Sequence, residues 1–373
     1  MGSKLRTWIA LDRRALRHNY QTLRKLIGPR VRLWAVVKSN AYGHGLFVFS
    51  KLLEKLGVDG FCVDSVLEGL ALRREGIRKP ILVLGPTLST LFREAAARRL
   101  TITVSTLENL RALGRLSKLP EFHLKFDTGM HRQGFYSEAV PLILRELARW
   151  PFVRRKKLTG VYTHFASATS RHSPYTERQF QTLQKIRAEL RTAGFSDLVF
   201  HAAATGGTLM HPKFHLDAVR VGKGLYGFFP TERLARELPR VLFQPVLRWQ
   251  TLVTEIKYLK TGDRVGYDLT EAVRRPTAMA ILPVGYWHGL PRSLSSVGKV
   301  LIRGRLAKIL GRVSMDLTAV DVTGIPVRVG DVATLIGRAG RQELHAQQVA
   351  RQAGTIAYEL LTRLNPLIEK VVI

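Results

Sequence analysis

At 373 residues, 46% of them hydrophobic and 23% charged, the chain has room for one large domain plus a smaller one, and its composition excludes a disordered or fibrous protein. A formal net charge of +31 is far from ordinary and would by itself suggest nucleic acid or an anionic membrane as partner. The basic residues are spread through every segment, however, with no zinc-finger spacing, RNP-like run or basic low-complexity arm, so the charge reads as a solvated surface trait and no specific nucleic-acid partner is expected.

Cys62 is the only cysteine, which rules out an intrachain disulfide and a cysteine-based zinc cage. The amino terminus reaches Asp12-Arg13-Arg14 without an apolar run, so no signal peptide is expected. No uncharged stretch approaches the roughly 20 residues that span a bilayer. A cytoplasmic protein without membrane partners is the expectation.

In chain order, Leu16, Tyr20, Leu23, Leu26 and Ile27 recur at helical spacing after Asp12. Short apolar runs then alternate with amphipathic segments. The runs predict strands at 31–37, 60–63, 81–84, 101–104, 122–126, 158–163, 198–202 and 218–221, with helices over 65–75, 106–116, 137–149 and 174–193 among others. Eight strands with helices between them favour a (β/α)8 TIM-like barrel, α/β in class, over an open doubly wound sheet. From Thr231 to Arg240 the pattern lapses into a charged connector. Beyond it, β-branched alternation with glycine turns predicts strands at 246–258, 277–283, 299–302, 308–313, 318–322 and 331–336, then two short helices near 346–353 and 356–364. The expected division is a barrel domain over 1–236 and a mainly β domain over 237–373.

Active sites of such barrels sit at the carboxyl ends of the strands. The first strand delivers Lys38 there: the apolar run Trp34-Ala35-Val36-Val37 leads into the lysine, and Tyr42-Gly43-His44-Gly45 follows. A lysine in an apolar pocket loses hydration, its pKa falls, and the neutral amine becomes a nucleophile. The alternative, a plain surface lysine, fits the apolar run less well. The fifth strand delivers Lys125 through Arg132, the sixth Thr163-His164, the seventh His201 through Thr205 and the eighth Arg220-Val221-Gly222. Gly222-Lys223-Gly224-Leu225-Tyr226-Gly227 matches G-x-G-x-x-G, but no second strand ending in an acidic residue follows at the spacing of about 20 that a dinucleotide fold requires. A cradle for one phosphate is the better reading. His211 and His215 flank Pro212 with no third ligand, so no metal site is expected. No G-x-S-x-G elbow supports a serine triad.

The lysine stretch, the barrel motifs and Val265-Gly266-Tyr267, Leu282 to Tyr286 and Gly311 to Asp316 together resemble the alanine racemases, from about Thr7 to Leu364. In that family the lysine holds pyridoxal phosphate as a Schiff base. The resemblance implies that Lys38 carries the cofactor and serves as one catalytic base. It implies that Tyr42, Thr205, Gly222, Lys223 and Tyr358 hold the phosphate and that Arg220 faces the pyridine nitrogen, with His164 beside it. Arginine does not give up its proton readily, so the ring nitrogen would stay unprotonated and transamination would be discouraged. Tyr267 would be the second base, supplied by the partner subunit of a homodimer with shared sites and helped by positive neighbours, because an unperturbed phenol has a pKa near 10. Arg132, Tyr286 and Met315 would border the substrate, and Lys125 stands where some members carry a carbamylated lysine. The implied activity is interconversion of L- and D-alanine by two bases, supplying D-alanine for peptidoglycan. The alternatives are a racemase of broader amino-acid range, a decarboxylase of the same architecture, or a noncatalytic protein that binds pyridoxal phosphate.

The chain departs from the family's pattern at Ala204-Thr205, where Asn-Ser is usual, at Trp287-His288, where Ala-Asp is usual, at Lys223, and at Asn365 to Glu369, which lacks the usual arginine. If the +31 charge is only a surface trait, polyanion binding should be weak at physiological salt and fall steeply as salt rises. Filter binding across a salt series checks this, and tight binding to one particular nucleic-acid sequence at physiological salt would refute it.

Overall fold

The computed structural model describes residues 5–170 and 173–373. They form two compact units, one of residues 15–39, 49–170 and 173–244, the other of 5–14, 40–48 and 245–373. The first strand, β1 (Thr7–Leu11), belongs to the second of these units.

The first unit is a closed parallel barrel of β2 (Arg32–Val36), β3 (Gly60–Val63), β4 (Ile81–Val83), β5 (Thr101–Val104), β6 (Phe122–Lys125), β7 (Leu158–Tyr162), β8 (Val199–Ala204) and β9 (Ala218–Val221). Each pairs in parallel with the next, and β2 closes the ring against β9. All eight strands were expected from their apolar runs, and the reason is burial on both faces: Leu33, Trp34, Ala35 and Val36 of β2 are all buried. Helices Val66–Arg74, Leu107–Gly114 and Pro174–Thr192 start where Ser65, Thr106 and Ser173 accept a hydrogen bond from a backbone N–H of the first turn. The segment read as a charged connector contains a helix, Glu232–Glu237, capped in the same way by Thr231.

The barrel interior is more polar than the branched aliphatic layers usual for this fold. Trp34, Thr103, His123, Tyr162, His201 and Arg220 are all buried. The Tyr162 hydroxyl lies 2.9 Å from Thr103 Oγ1, which donates to the Val83 carbonyl at 2.7 Å.

The second unit is a ten-stranded sheet with a short ribbon beside it. Its strands are β10 (Leu247–Leu252), β11 (Glu255–Leu259), β14 (Thr277–Leu282), β15 (Lys299–Ile302), β16 (Arg305–Leu310), β17 (Thr318–Asp321), β18 (Val332–Ala339), β19 (Gln342–Leu344) and β20 (Glu369–Val372), together with β1; β12 (Arg264–Val265) and β13 (Glu271–Ala272) form the ribbon. Thr7–Leu11, which fell within the expected barrel domain, is instead a strand of this sheet. It lies antiparallel to β10 and parallel to β20, with Ile9, Ala10 and Leu11 buried. Helices Ala346–Gln352 and Ala357–Thr362 follow, close to the expected positions. No helix among the described residues is long and apolar enough to cross a membrane.

The chain leaves the barrel unit one residue after Lys38. Ser39, Asn40, Ala41 and Tyr42 all have φ between 50° and 55°, a left-handed helical turn built without glycine. Each such residue costs roughly 1–2 kcal/mol, so the turn survives only because it is anchored. Ser39 N–H donates to Glu68 Oε1 at 2.7 Å; the Asn40 side chain accepts from Leu46 N–H at 2.9 Å and its carbonyl from Gly45 N–H at 3.0 Å. His44 Nδ1 donates to the Tyr42 carbonyl at 3.0 Å. Gly43, at φ +81°, closes the turn with its Cα against the Leu361 carbonyl, which any side chain would strike. Gly43→Ala should therefore destabilise the protein by about 3 kcal/mol or more. Urea unfolding with an unchanged m-value and a lowered midpoint is the expected result.

Candidate active site

Lys38 stands at the carboxyl end of β2, as expected, but not in an apolar pocket. Its Nζ pairs with Asp64 Oδ1 at 3.0 Å, and its side chain is 37% exposed. The physical reason is Asp64 itself, which follows the neighbouring strand β3 and brings a carboxylate to the same rim. Asp64 was not singled out from the sequence.

Around the same barrel mouth stand the ends of β6 to β9. Asp127, after β6, organises its loop: Oδ1 accepts from the N–H groups of Gly129, Met130 and His131, and Oδ2 from that of Arg132. Burial alone would raise this carboxyl, but those four donors outweigh it and hold it below the usual range. The loop so fixed presents Arg132, which is exposed. Lys125 is buried, donates to Gln133 Oε1 at 2.6 Å and lies 5.5 Å from the Tyr162 ring centre. Burial, then the positive charges of Arg220 and Arg132, bring its pKa down to about 8.

Arg220, on β9, is 2% exposed and has no carboxylate partner among the described residues. Its NH2 donates to the carbonyls of Thr163 at 2.8 Å and Ala202 at 3.0 Å and lies 3.2 Å from His164 Nδ1; its NH1 lies 2.5 Å from His201 Nδ1. The guanidinium also sits 4.9 Å from the Tyr162 ring centre. Burial and the charge of Arg220 push His164 down to about 3, so it is neutral near pH 7. Thr205 is buried at the start of the short helix Thr205–Met210, and the Gly224 N–H donates to its hydroxyl at 3.4 Å. Gly222 and Lys223 open the helical turn Lys223–Tyr226; burial lowers the Lys223 pKa.

The remaining expected residues lie in the other unit. Tyr42 and Tyr358 form an edge-on ring pair with centres 6.2 Å apart. Burial, then the neighbouring Tyr42, raises the Tyr358 phenol. Tyr286 and Met315 belong to two loops knitted by the Tyr286 N–H on Ser314 O and the Trp287 N–H on Met315 O, both at 3.0 Å. Gly285 has no room for a side chain because the Ser314 and Met315 carbonyls press against its Cα. Tyr267 follows Gly266 at φ +75° and is 69% exposed. His211 and His215 lie outside the helices and strands, and His215 Nε2 donates to the Thr208 carbonyl at 2.9 Å.

The barrel mouth therefore offers a primary amine, a donor-only guanidinium and a threonine hydroxyl, with Arg132 and Lys223 adding positive charge. That set fits a phosphate-bearing aldehyde: the amine can condense with the carbonyl, and the cations match a dianion. Residues 11–230 match the family model for the alanine racemase N-terminal domain, and residues 246–372 match the model for the C-terminal domain. The chain belongs to the alanine racemase family. Among relatives in that family it is 39% identical to the alanine racemase of Symbiobacterium thermophilum, over 95% of this chain and 94% of that one, and 34% identical to that of Leptospira interrogans, over 98% and 96%. The alanine racemase of Bacillus anthracis, solved with bound L-Ala-P, superposes with a TM-score of 0.92 at 31% identity, covering 100% of this chain and 96% of that one.

Lys125 provides a test of the electrostatics described here. Because its folded pKa lies near 8 against an ordinary 10.5, the unfolded chain binds more protons between those values and stability should rise with pH across that window. Lys125→Met should flatten the rise. Unfolding free energies measured below about pH 8 and above about pH 10 check it.

Proposed function

We propose that this family member interconverts L- and D-alanine with pyridoxal phosphate held by Lys38, using Lys38 and Tyr267 as the two bases. The observation that carries the reading is Arg220, a buried cation at the mouth where Lys38 stands, donating everywhere and facing no carboxylate. Bound pyridoxal phosphate withdraws electrons from the substrate and makes its Cα–H acidic. Arg220 would donate to the ring nitrogen and, keeping its own proton, leave that nitrogen unprotonated. Thr205, Gly222 and Lys223, with Tyr42 and Tyr358, would hold the phosphate. Arg132 and the Met315 backbone would take the substrate carboxylate, with Tyr286 at the border.

Lys38 would remove or return the proton on one face. Tyr267 of the partner subunit would serve the other, with His164 and Arg220 behind it. The exposure of Tyr267 supports a residue that acts across a homodimer. The enzyme would work in the cytoplasm and supply D-alanine for peptidoglycan.

A racemase of broader range is the second reading, favoured by one observation. Trp287 borders Tyr286, and its carbonyl accepts from the Asn365 side chain at 3.0 Å, so two departures from the family's pattern hold each other. Chiral analysis after incubation with L-alanine should show D-alanine; equal turnover of larger amino acids would favour the broader reading, and a decarboxylated product or none would refute racemisation. Lys38→Ala should lose the cofactor's absorbance band together with activity. Lys38→Ala and Tyr267→Phe should each fall at least about a thousandfold as homodimers. Mixing the two under subunit exchange should restore activity in proportion to hybrid formation, since each hybrid has one intact site. Verified hybrids that stay inactive would show that Tyr267 serves its own subunit.

A further inference from the structure

Arg220 is held from inside the barrel by two histidines in series. His201, on β8, presents Nδ1 to Arg220 NH1 at 2.5 Å. Its Nε2 lies 2.9 Å from Nδ1 of His123, on β6. All three side chains are buried. A guanidinium has only donors, so His201 Nδ1 must accept, and a neutral His201 must then carry its proton on Nε2. That proton points at His123, whose Nδ1 must accept in turn, leaving the His123 proton on Nε2. The donors run one way, from Arg220 through His201 to His123.

The surroundings hold both rings in this arrangement. His201 is stacked on Tyr162, with ring centres 4.6 Å apart and planes 10° apart, and the edge of Trp34 meets it at 4.8 Å. His123 fits because β7 has glycine opposite it: a Cβ on Gly160 would lie 2.6 Å from the His123 ring. His123 also lines a cavity of about 270 Å³ at the amino-terminal end of the barrel, with Asp59, Glu121 and Thr101. The chain therefore crosses the barrel from the catalytic mouth to the far side.

We propose that His123 is a positioning residue for the racemase reaction: by accepting from His201 Nε2 it selects the His201 tautomer that can accept from Arg220, and so keeps the guanidinium aimed at the cofactor's ring nitrogen. Without an acceptor at position 123, His201 gains nothing from a proton on Nε2. In its other tautomer it would turn an N–H toward the guanidinium, donor against donor, and Arg220 would swing away. Burial, then Arg220 and then Arg32, lowers His123 to about 3, so it stays neutral and able to accept across the working pH range. The functional half of this inference rests on the proposed racemase reading; the tautomer half does not.

The first test needs no cofactor and is read on the unaltered chain. Nitrogen NMR of the histidine-labelled protein should show both His201 and His123 neutral with the proton on Nε2, each signal assigned by its loss in a single variant. A Nδ1-protonated or cationic His201 overturns the proposal. The second test compares His123→Phe, which keeps a ring but offers no acceptor, with His123→Asn, whose amide oxygen replaces Nδ1. In the cofactor-loaded enzyme, pyruvate formed per racemisation turnover should rise at least tenfold in His123→Phe and return to within about twofold of the unaltered protein in His123→Asn. If both variants fold and partition products alike, His123 only fills space and the proposal fails. If His123→Phe does not fold, the ratio in His123→Asn and the NMR signals still decide, because a raised ratio there or the wrong tautomer refutes it. A protein that shows the predicted tautomers but makes no D-alanine refutes the racemase reading and leaves the hydrogen-bonded chain standing.

Discussion

A buried guanidinium with no carboxylate to neutralise it is the constraint from which much of this barrel follows. A lone buried charge is costly unless hydrogen bonds and polarisable neighbours replace its water. Arg220 obtains two carbonyls, two imidazole nitrogens and the face of Tyr162. Each of these has a further requirement. The imidazoles must stay neutral, because a second positive charge beside the first would be repelled. The carbonyls of Thr163 and Ala202 must turn inward at the ends of β7 and β8. The same positive field reaches Lys125 and helps, after burial, to make its ammonium easier to deprotonate. A barrel filled only with valine and leucine could not hold such a charge, which accounts for the polar interior.

The eight barrel strands were legible because parallel strands buried on both faces leave continuous apolar runs, and the lysine, arginine and glycine motifs were legible because they end those runs. What escaped reading has physical causes. Asp64 could not be paired with Lys38 from sequence, since their proximity comes from the β2–β3 register. The left-handed turn at Ser39 to Tyr42 has no glycine to announce it and is held by anchors as distant as Glu68. His123 sits inside a strand whose apolar neighbours hide it, and only the barrel's closure brings its ring to that of His201. The helix Glu232–Glu237 spans six residues, too few for a periodic signal. Thr7–Leu11 was misassigned because an isolated short strand carries no mark of its partner.

The second unit shows how local departures can be mutually dependent. The Asn365 side chain holds the Trp287 carbonyl, and the Asn365 backbone N–H donates to the His288 carbonyl at 3.2 Å. The imidazole of His288 accepts from the Gly285 N–H at 3.2 Å. These bonds fix the backbone beside Tyr286. A change at either position should therefore be read together with the other, because contacting residues do not act additively.

The pairing of β1 has a consequence for how the protein is made. Thr7–Leu11 is synthesised well before its partners, Leu247–Leu252 and Glu369–Val372. At about 5–20 residues per second, tens of seconds pass before the nearer partner exists. All the residues of the barrel strands are synthesised within that interval. Throughout it the nascent chain carries an apolar strand, including Ile9 and Leu11, with both edges unsatisfied. Newly made copies on one message, each presenting the same open edge, are candidates for pairing with one another before either can pair with itself. Slow translation of the barrel lengthens that exposure, and a chaperone that shields Thr7–Leu11 would shorten it.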